Sequence, residues 1–238
     1  MRTEDIEYHA DGVRMVGQYV VDDGKPGRRA GVLVCHEGPG LTDHTKKIAA
    51  RLAGLGYAAF AMDYHGDGKP LPDPSQTMAR LQPWMADPTG IRTRALAALD
   101  VLRAQNEVDP ARLAAIGYCF GGTTALEIAR SGADVKAVVG FHSGLATARP
   151  QDAANIKAKV LVCIGADDPI IPPEQRLAFE KEMKSAAIDW RLQVYGGAGH
   201  SFTNPAADSR GMKGFFYHEA TDRRSWNAMI ELFGETLN

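Results

Sequence analysis

Apolar and polar residues alternate over Ile6–Ala10 and again over Val13–Val21, with Asp11-Gly12 between the two runs. An Asp-Gly pair between period-2 segments predicts an antiparallel hairpin. The next apolar run, Gly31–Cys35, is short and unbroken, as in strands buried on both faces. Beyond it the period changes repeatedly between that of a helix and that of a strand. A helix is predicted from Asp43 or His44 to about Leu55, with Asp43 as its N-cap and Gly56 just past its end. Strands are predicted at Tyr57–Met62, Leu113–Tyr118, Val135–Phe141, Val160–Ile164 and Trp190–Tyr195. Between and after them, helices are predicted at Thr89–Asn106, Gly121–Ser131, Glu174–Ala187 and Glu219–Glu235. Strands separated by helices imply an α/β fold: an open, mostly parallel sheet of about seven or eight strands flanked by helices, with an antiparallel N-terminal edge.

No internal repeat or linker divides residues 1–238, so a single domain is expected. Only residues 64–88 break the rhythm, with five of the chain's 13 prolines and one tryptophan, Trp84. A stretch of that length without periodicity is either a functional lid or a surface excursion with a short helix near Ser75–Leu81.

Composition narrows the partners. The apolar fraction is 45% and the formal net charge is −2, which excludes intrinsic disorder. With 27 basic against 29 acidic residues, no nucleic-acid partner is expected. No apolar run is long enough to span a bilayer, so no membrane association is expected. The charged start, MRTEDIEYHADG, lacks the apolar core of a signal peptide. Three cysteines, Cys35, Cys119 and Cys163, form no CxxC pair and suggest a reducing, cytoplasmic setting.

One cysteine stands in a chemically distinctive place. Gly117-Tyr-Cys-Phe-Gly121 follows a predicted buried strand and opens a helix. This is the G-x-S-x-G nucleophile elbow with sulfur replacing the hydroxyl. Its glycines allow a turn so sharp that the nucleophile projects from the tip, while the following helix directs free N–H groups and its positive dipole end at that point. Taken alone, the segment also fits a glycine-rich turn around a structural cysteine. Two partners favour catalysis. Asp167-Asp168 ends the strand at Val160–Ile164, and His200 follows the strand at Trp190–Tyr195 within Gly196-Gly-Ala-Gly-His200. Nucleophile, acid and histidine in that order, each after a strand, is the arrangement of α/β-hydrolases.

Together with Cys35-His-Glu-Gly38 and Gly165-Ala-Asp-Asp-Pro-Ile-Ile-Pro172, these motifs identify a resemblance to the dienelactone hydrolase family (carboxymethylenebutenolidase-like) over nearly the whole chain. By position, the resemblance implies a triad of Cys119, Asp168 and His200. Asp168 stands four residues before Pro172, as the family's acid does before its proline, and Asp167 is the alternative. The resemblance also places an acidic residue, here Glu37, against the thiol to tune it. The backbone N–H groups of Gly38 and Phe120 are the expected oxyanion donors. Family members acting on dienelactone carry an arginine four residues past the histidine, where this chain has Asn204. Asn lacks the charge that binds a substrate carboxylate, so dienelactone itself is not the expected substrate. Neither Arg80 nor Arg210 stands at a matching place.

Tyr64, Trp84, Tyr118 and Phe202 are candidates to line an apolar pocket. His36, His65 and Asp67 lack metal-ligand spacing, so no metal and no cofactor is expected. His142-Ser143 follows a strand and is assigned a structural or surface role. The expected activity is hydrolysis of a small ester or lactone through a cysteine acyl-enzyme. The alternatives are a general carboxylesterase or thioesterase with the same triad, and a non-catalytic protein that binds a small molecule or senses oxidants through Cys119.

Overall fold

The computed structural model describes residues 1–238, apart from the side chain of Pro74. Its centre is an eight-stranded sheet. The strands are β1 (Arg2–Ala10), β2 (Val13–Val21), β3 (Arg29–Cys35), β4 (Ala58–Ala61), β5 (Val108–Tyr118), β6 (Ala137–Phe141), β7 (Lys159–Gly165) and β8 (Trp190–Tyr195). They lie in the order β1-β2-β4-β3-β5-β6-β7-β8. β1 pairs with β2 and β2 with β4 antiparallel; every other pair is parallel. The alternating hairpin therefore forms the edge, and the wholly apolar β3 lies inside, as its burial on both faces demands.

Successive side chains of a strand point to opposite faces, which divides the core in two. Leu33 and Cys35 of β3, with Val160, Val162 and Ile164 of β7, face one layer; Val32, Val34, Leu161 and Cys163 face the other. The first layer is closed by α2 (Thr77–Ala86), α3 (Thr89–Arg103), α4 (Phe120–Arg130) and α5 (Pro173–Ser185), through residues such as Leu81, Leu99, Leu126 and Phe179. The second is closed by α1 (Asp43–Gly54) and α6 (Glu219–Thr236), through Ile48, Leu52, Met229 and Phe233.

The element boundaries depart from the sequence expectation in a few places. Thr42, not Asp43, is the N-cap of α1, and it makes no side-chain capping bond; Asp43 is instead the first helical residue, where its charge suits the dipole. β5 begins at Val108 rather than Leu113, because Val108 and Asp109 pair with Arg29 and Ala30 before the register shifts between Ala30 and Gly31. The Pro-rich stretch carries the ten-residue α2, longer than expected and with Pro83 inside it. Among the described residues, no helix is long and apolar enough to cross a membrane.

Candidate active site

The turn from β5 into α4 explains its glycines. A Cβ on Gly117 would lie 2.0 Å from the Gly121 carbonyl oxygen, and one on Gly121 would lie 2.2 Å from the Cys35 carbonyl oxygen. Any side chain at either position would collide with main chain. Cys119 at the tip adopts φ 54° and ψ −122°, a conformation that a non-glycine residue holds only where its surroundings impose it. Its main chain is fixed by a bond from its N–H to the Phe141 carbonyl, at 3.0 Å. The side chain is half-buried, whereas Cys35 and Cys163 are fully buried. Burial pushes the Cys163 thiol up to about 12 and that of Cys35 higher still, so neither forms a thiolate near neutrality.

His200 and Asp168 meet as the chain order suggested. His200 Nδ1 lies 2.8 Å from Asp168 Oδ2, and both side chains are almost wholly buried. The other carboxylate oxygen of Asp168 accepts the Ile170 N–H at 2.8 Å, which sets the orientation of the group. Asp167 points elsewhere and is exposed. Burial works against charge on the His200 ring, but the negative charge of Cys119 and the bond to Asp168 outweigh it, raising the imidazole to about 10. Cys119 raises the ring both through its charge and through side-chain hydrogen bonding, although His200 Nε2 has no hydrogen bond of regular geometry.

His142 lies directly against these groups. Its Nδ1 accepts the Cys119 N–H at 3.2 Å, and its Nε2 is 2.9 Å from Thr203 Oγ1. The two contacts fix one neutral tautomer, with the proton on Nε2. Its ring stands edge-on to His200 at 5.0 Å between centroids, and burial together with the His200 charge holds it well below the usual histidine range. A surface role for His142 is thus overturned: the ring is fully buried and supports the elbow.

The loop after β3 is clamped just as closely. The Glu37 carbonyl accepts hydrogen bonds from His36 Nδ1 at 2.6 Å, Tyr64 Oη at 3.0 Å and the Gly40 N–H at 3.1 Å. His65 Nε2 donates to the Gly38 carbonyl at 2.8 Å. Burial keeps the His36 ring neutral and the Tyr64 phenol protonated, so both remain donors. In a planar trans peptide, C=O and N–H point in opposite directions. Pinning the Glu37 carbonyl on one side therefore aims the Gly38 N–H the other way, where it has no acceptor among the described residues. Phe120, the first residue of α4, likewise has no intrahelical acceptor for its N–H.

Glu37 is 2% exposed. Its Oε2 accepts from Asn204 Nδ2 at 2.8 Å and lies 3.8 Å from Arg210, while Oε1 has no partner. The direct contact with the thiol that the resemblance implied is not formed here, because Asn204 holds the carboxylate. Arg210, distant in sequence from the expected place, comes beside Glu37 because the 3₁₀ turn Pro205–Arg210 folds the chain back.

Of the four aromatic candidates, Trp84 lines a cleft of about 310 Å³ that also includes Phe120, Thr123 and Ile170. Tyr64, Tyr118 and Phe202 are fully buried instead: Tyr64 stacks on His36, Tyr118 stacks on Phe141, and Phe202 packs against His142. Each has its ring on a core layer, where sheet neighbours cover it. A larger surface hollow of about 490 Å³, between Pro150 and Ala186, includes none of the groups described above.

Residues 16–237 match the family model described as the dienelactone hydrolase family. The chain belongs to the dienelactone hydrolase family. A carboxymethylenebutenolidase-like protein of Salmonella typhimurium is 28% identical over 240 residues, covering 95% of this chain and 84% of that protein. The solved structure described as m3DLH is 48% identical with a TM-score of 0.97, covering 100% of this chain and 99% of the other. P91, a dienelactone hydrolase-like promiscuous phosphotriesterase from metagenomic libraries, is 44% identical with a TM-score of 0.95, again covering 100% and 99%. Dienelactone hydrolase family membership makes this chain a hydrolase by class. Within that frame, the sequence reading gave His142 a structural or surface role, of which the structure keeps the structural one, and named Arg210 only as an arginine out of place. Thr203 did not enter that reading, and nothing local marks it.

Proposed function

We propose that this chain hydrolyses a small carboxylic ester or lactone through a thioester on Cys119. The observation that carries the reading is the buried His200–Asp168 pair at 2.8 Å, with its imidazole raised by the charge of a half-buried cysteine at a strained elbow. In the first step the Cys119 thiolate attacks the carbonyl carbon, whose oxygen takes the electron pair between the N–H groups of Gly38 and Phe120. Collapse breaks the C–O bond, and the His200 imidazolium gives its proton to the departing oxygen. In the second step neutral His200 takes a proton from water, hydroxide adds to the thioester, and the acid leaves as the thiolate–imidazolium pair reforms. Asp168 holds the ring orientation throughout. Glu37 sets the charge near the thiol without touching it. A single domain, residues 1–238, carries all of these groups, with a small molecule as the sole partner the chemistry requires.

Thiolates leave readily as well as attack, so activated esters and strained lactones suit the site better than amides. A second reading is displacement at the phosphorus of a neutral triester, favoured by the 44% identity with P91. Turnover of an aryl acetate by wild type and Cys119→Ala, with intact mass recorded during the reaction, tests the proposal. An acyl adduct on the wild type and a loss of kcat/KM of at least about 10⁴-fold in the variant are expected. Equal rates in the two proteins would remove Cys119 from the mechanism. A parallel assay with a diethyl aryl phosphate separates the two readings.

A further inference from the structure

The cleft beside the elbow has a consistent chemistry. Trp84, Met85, Ile91, Phe120 and Ile170 supply apolar walls. Four polar side chains also line it, and each already makes at least one hydrogen bond or ion pair within the protein. Thr123 donates to the Gly144 carbonyl at 2.9 Å. Thr147 accepts the Arg149 N–H at 3.2 Å. The Gln175 carbonyl oxygen accepts the Leu145 N–H at 2.6 Å. Glu127 is paired with Arg92 and Arg130 at 2.6 and 2.9 Å. Among the described residues no lysine, arginine or histidine lines the cleft, and its one acidic lining residue is Glu127. Arg210, the cation near Glu37, does not line it.

The cleft's position decides which part of a substrate it takes. Phe120 and Thr123 are in the first turn of the helix that follows Cys119, and Ile170 stands two residues after Asp168. The loop 196–218, which carries His200, contributes nothing to the lining. The leaving oxygen departs toward His200, so the leaving group lies outside the cleft and the acyl group lies within it.

We infer that the cleft is an acyl subsite for an uncharged, apolar chain or aryl ring, and that it rejects acyl groups ending in a carboxylate. This rests on the proposed thiol hydrolase activity and names its substrate class. A dry apolar cavity of about 150 Å³ takes one benzene ring, so a cleft of about 310 Å³ has room for a six-carbon acyl chain or an aryl ring. An anionic tip would be desolvated beside Glu127, whose neighbours Arg92 and Arg130 are already paired with carboxylates and do not line the cleft.

The test uses p-nitrophenyl acetate, butyrate and hexanoate, and the p-nitrophenyl monoester of adipic acid, all with one leaving group. Each buried methylene is expected to raise kcat/KM about fourfold, so the hexanoate should exceed the acetate by roughly 250-fold if all four extra methylenes are buried, and the adipate monoester by at least about tenfold. Ala146→Phe, an exposed change at the lip, should lower the hexanoate-to-acetate ratio at least about fivefold. A flat chain-length series, an adipate monoester as good as hexanoate, or an unaltered ratio in Ala146→Phe overturns the subsite. If no ester is hydrolysed, the proposed function fails, and the subsite is then judged by equilibrium binding. Trp84 fluorescence should then report hexananilide binding at least about tenfold tighter than acetanilide, with equal affinities overturning the inference.

Discussion

At the scale of single residues, the peptide between Glu37 and Gly38 shows how a site is aimed by groups that never meet a substrate. Its carbonyl is held by His36, Tyr64 and the Gly40 N–H, and its N–H is thereby pointed away from them. Tyr64 also stacks on His36 at 3.6 Å and stands edge-on to Phe120 at 5.8 Å, so it supports both proposed oxyanion donors. Tyr64→Phe retains the ring and removes only the hydroxyl. The expected result is a fall in kcat of about tenfold with KM little changed, since a loosened donor weakens the transition state more than the ground state. The loss of one neutral hydrogen bond should cost only about 1 kcal/mol of stability. A KM effect with kcat unchanged would show Tyr64 to be a packing residue only. None of this was legible locally. Tyr64 reads as one more aromatic after a strand, and its role depends on β4 lying beside β3, which brings residue 64 to residue 37.

At the scale of elements, α4 is held at both ends. Its N-terminus meets the elbow, and near its C-terminus the fully buried Arg130 binds Glu127 at 2.9 Å, Glu182 of α5 at 2.8 Å and the Leu145 carbonyl at 3.1 Å. Arg130 thus ties two helices to the segment that forms the cleft's lip. Removing one member of a buried charge network leaves the others unpaired, so Arg130→Met should destabilise the protein by about 3–5 kcal/mol in urea unfolding. Pairing it with Glu182→Met should recover part of that loss. A loss below about 1 kcal/mol in the single variant would show that the network contributes little. Most elements were readable from periodicity, because α1, α3 and α6 each bury one regular stripe, while α4, buried on nearly every side, was readable from the elbow that opens it. α2 was not, since it buries only Leu81 and contains Pro83. It is a helix because it covers the loop after β3: a Cβ on Gly38 would lie 2.9 Å from Thr77 Cγ2 and 3.2 Å from Leu81 Cδ1.

At the scale of the whole molecule, stability and the catalytic charge state are coupled. The His200 ring is raised from 6.5 to about 10 in the folded protein, with burial opposing and the charges of Cys119 and Asp168 prevailing. A raised folded pKa contributes stability that is fully present below the unfolded value of 6.5 and is lost as pH climbs through about 10. The advantage of wild type over Asp168→Asn should therefore be largest near pH 6 and shrink toward pH 10. Thermal unfolding followed across that range checks it, and a gap independent of pH would contradict the assignment. One eight-stranded sheet with two closed core layers predicts a single cooperative transition in the same experiment.

The sequence by itself determined the alternation that splits the core, the steric need for Gly117 and Gly121, and the order of cysteine, acid and histidine along the strands. These are local properties, set by a period of two, by the size of a side chain at a tight turn, and by where each strand ends. The tertiary structure alone decided which polar groups meet. Glu37 binds Asn204, 167 positions away, and not the thiol it was expected to contact. Arg210 reaches Glu37 through a 3₁₀ turn, and His142 and Thr203 brace the elbow from two different strands' ends. Such pairings depend on where loops return after crossing the sheet, and no pattern within one segment records the distance between two of them.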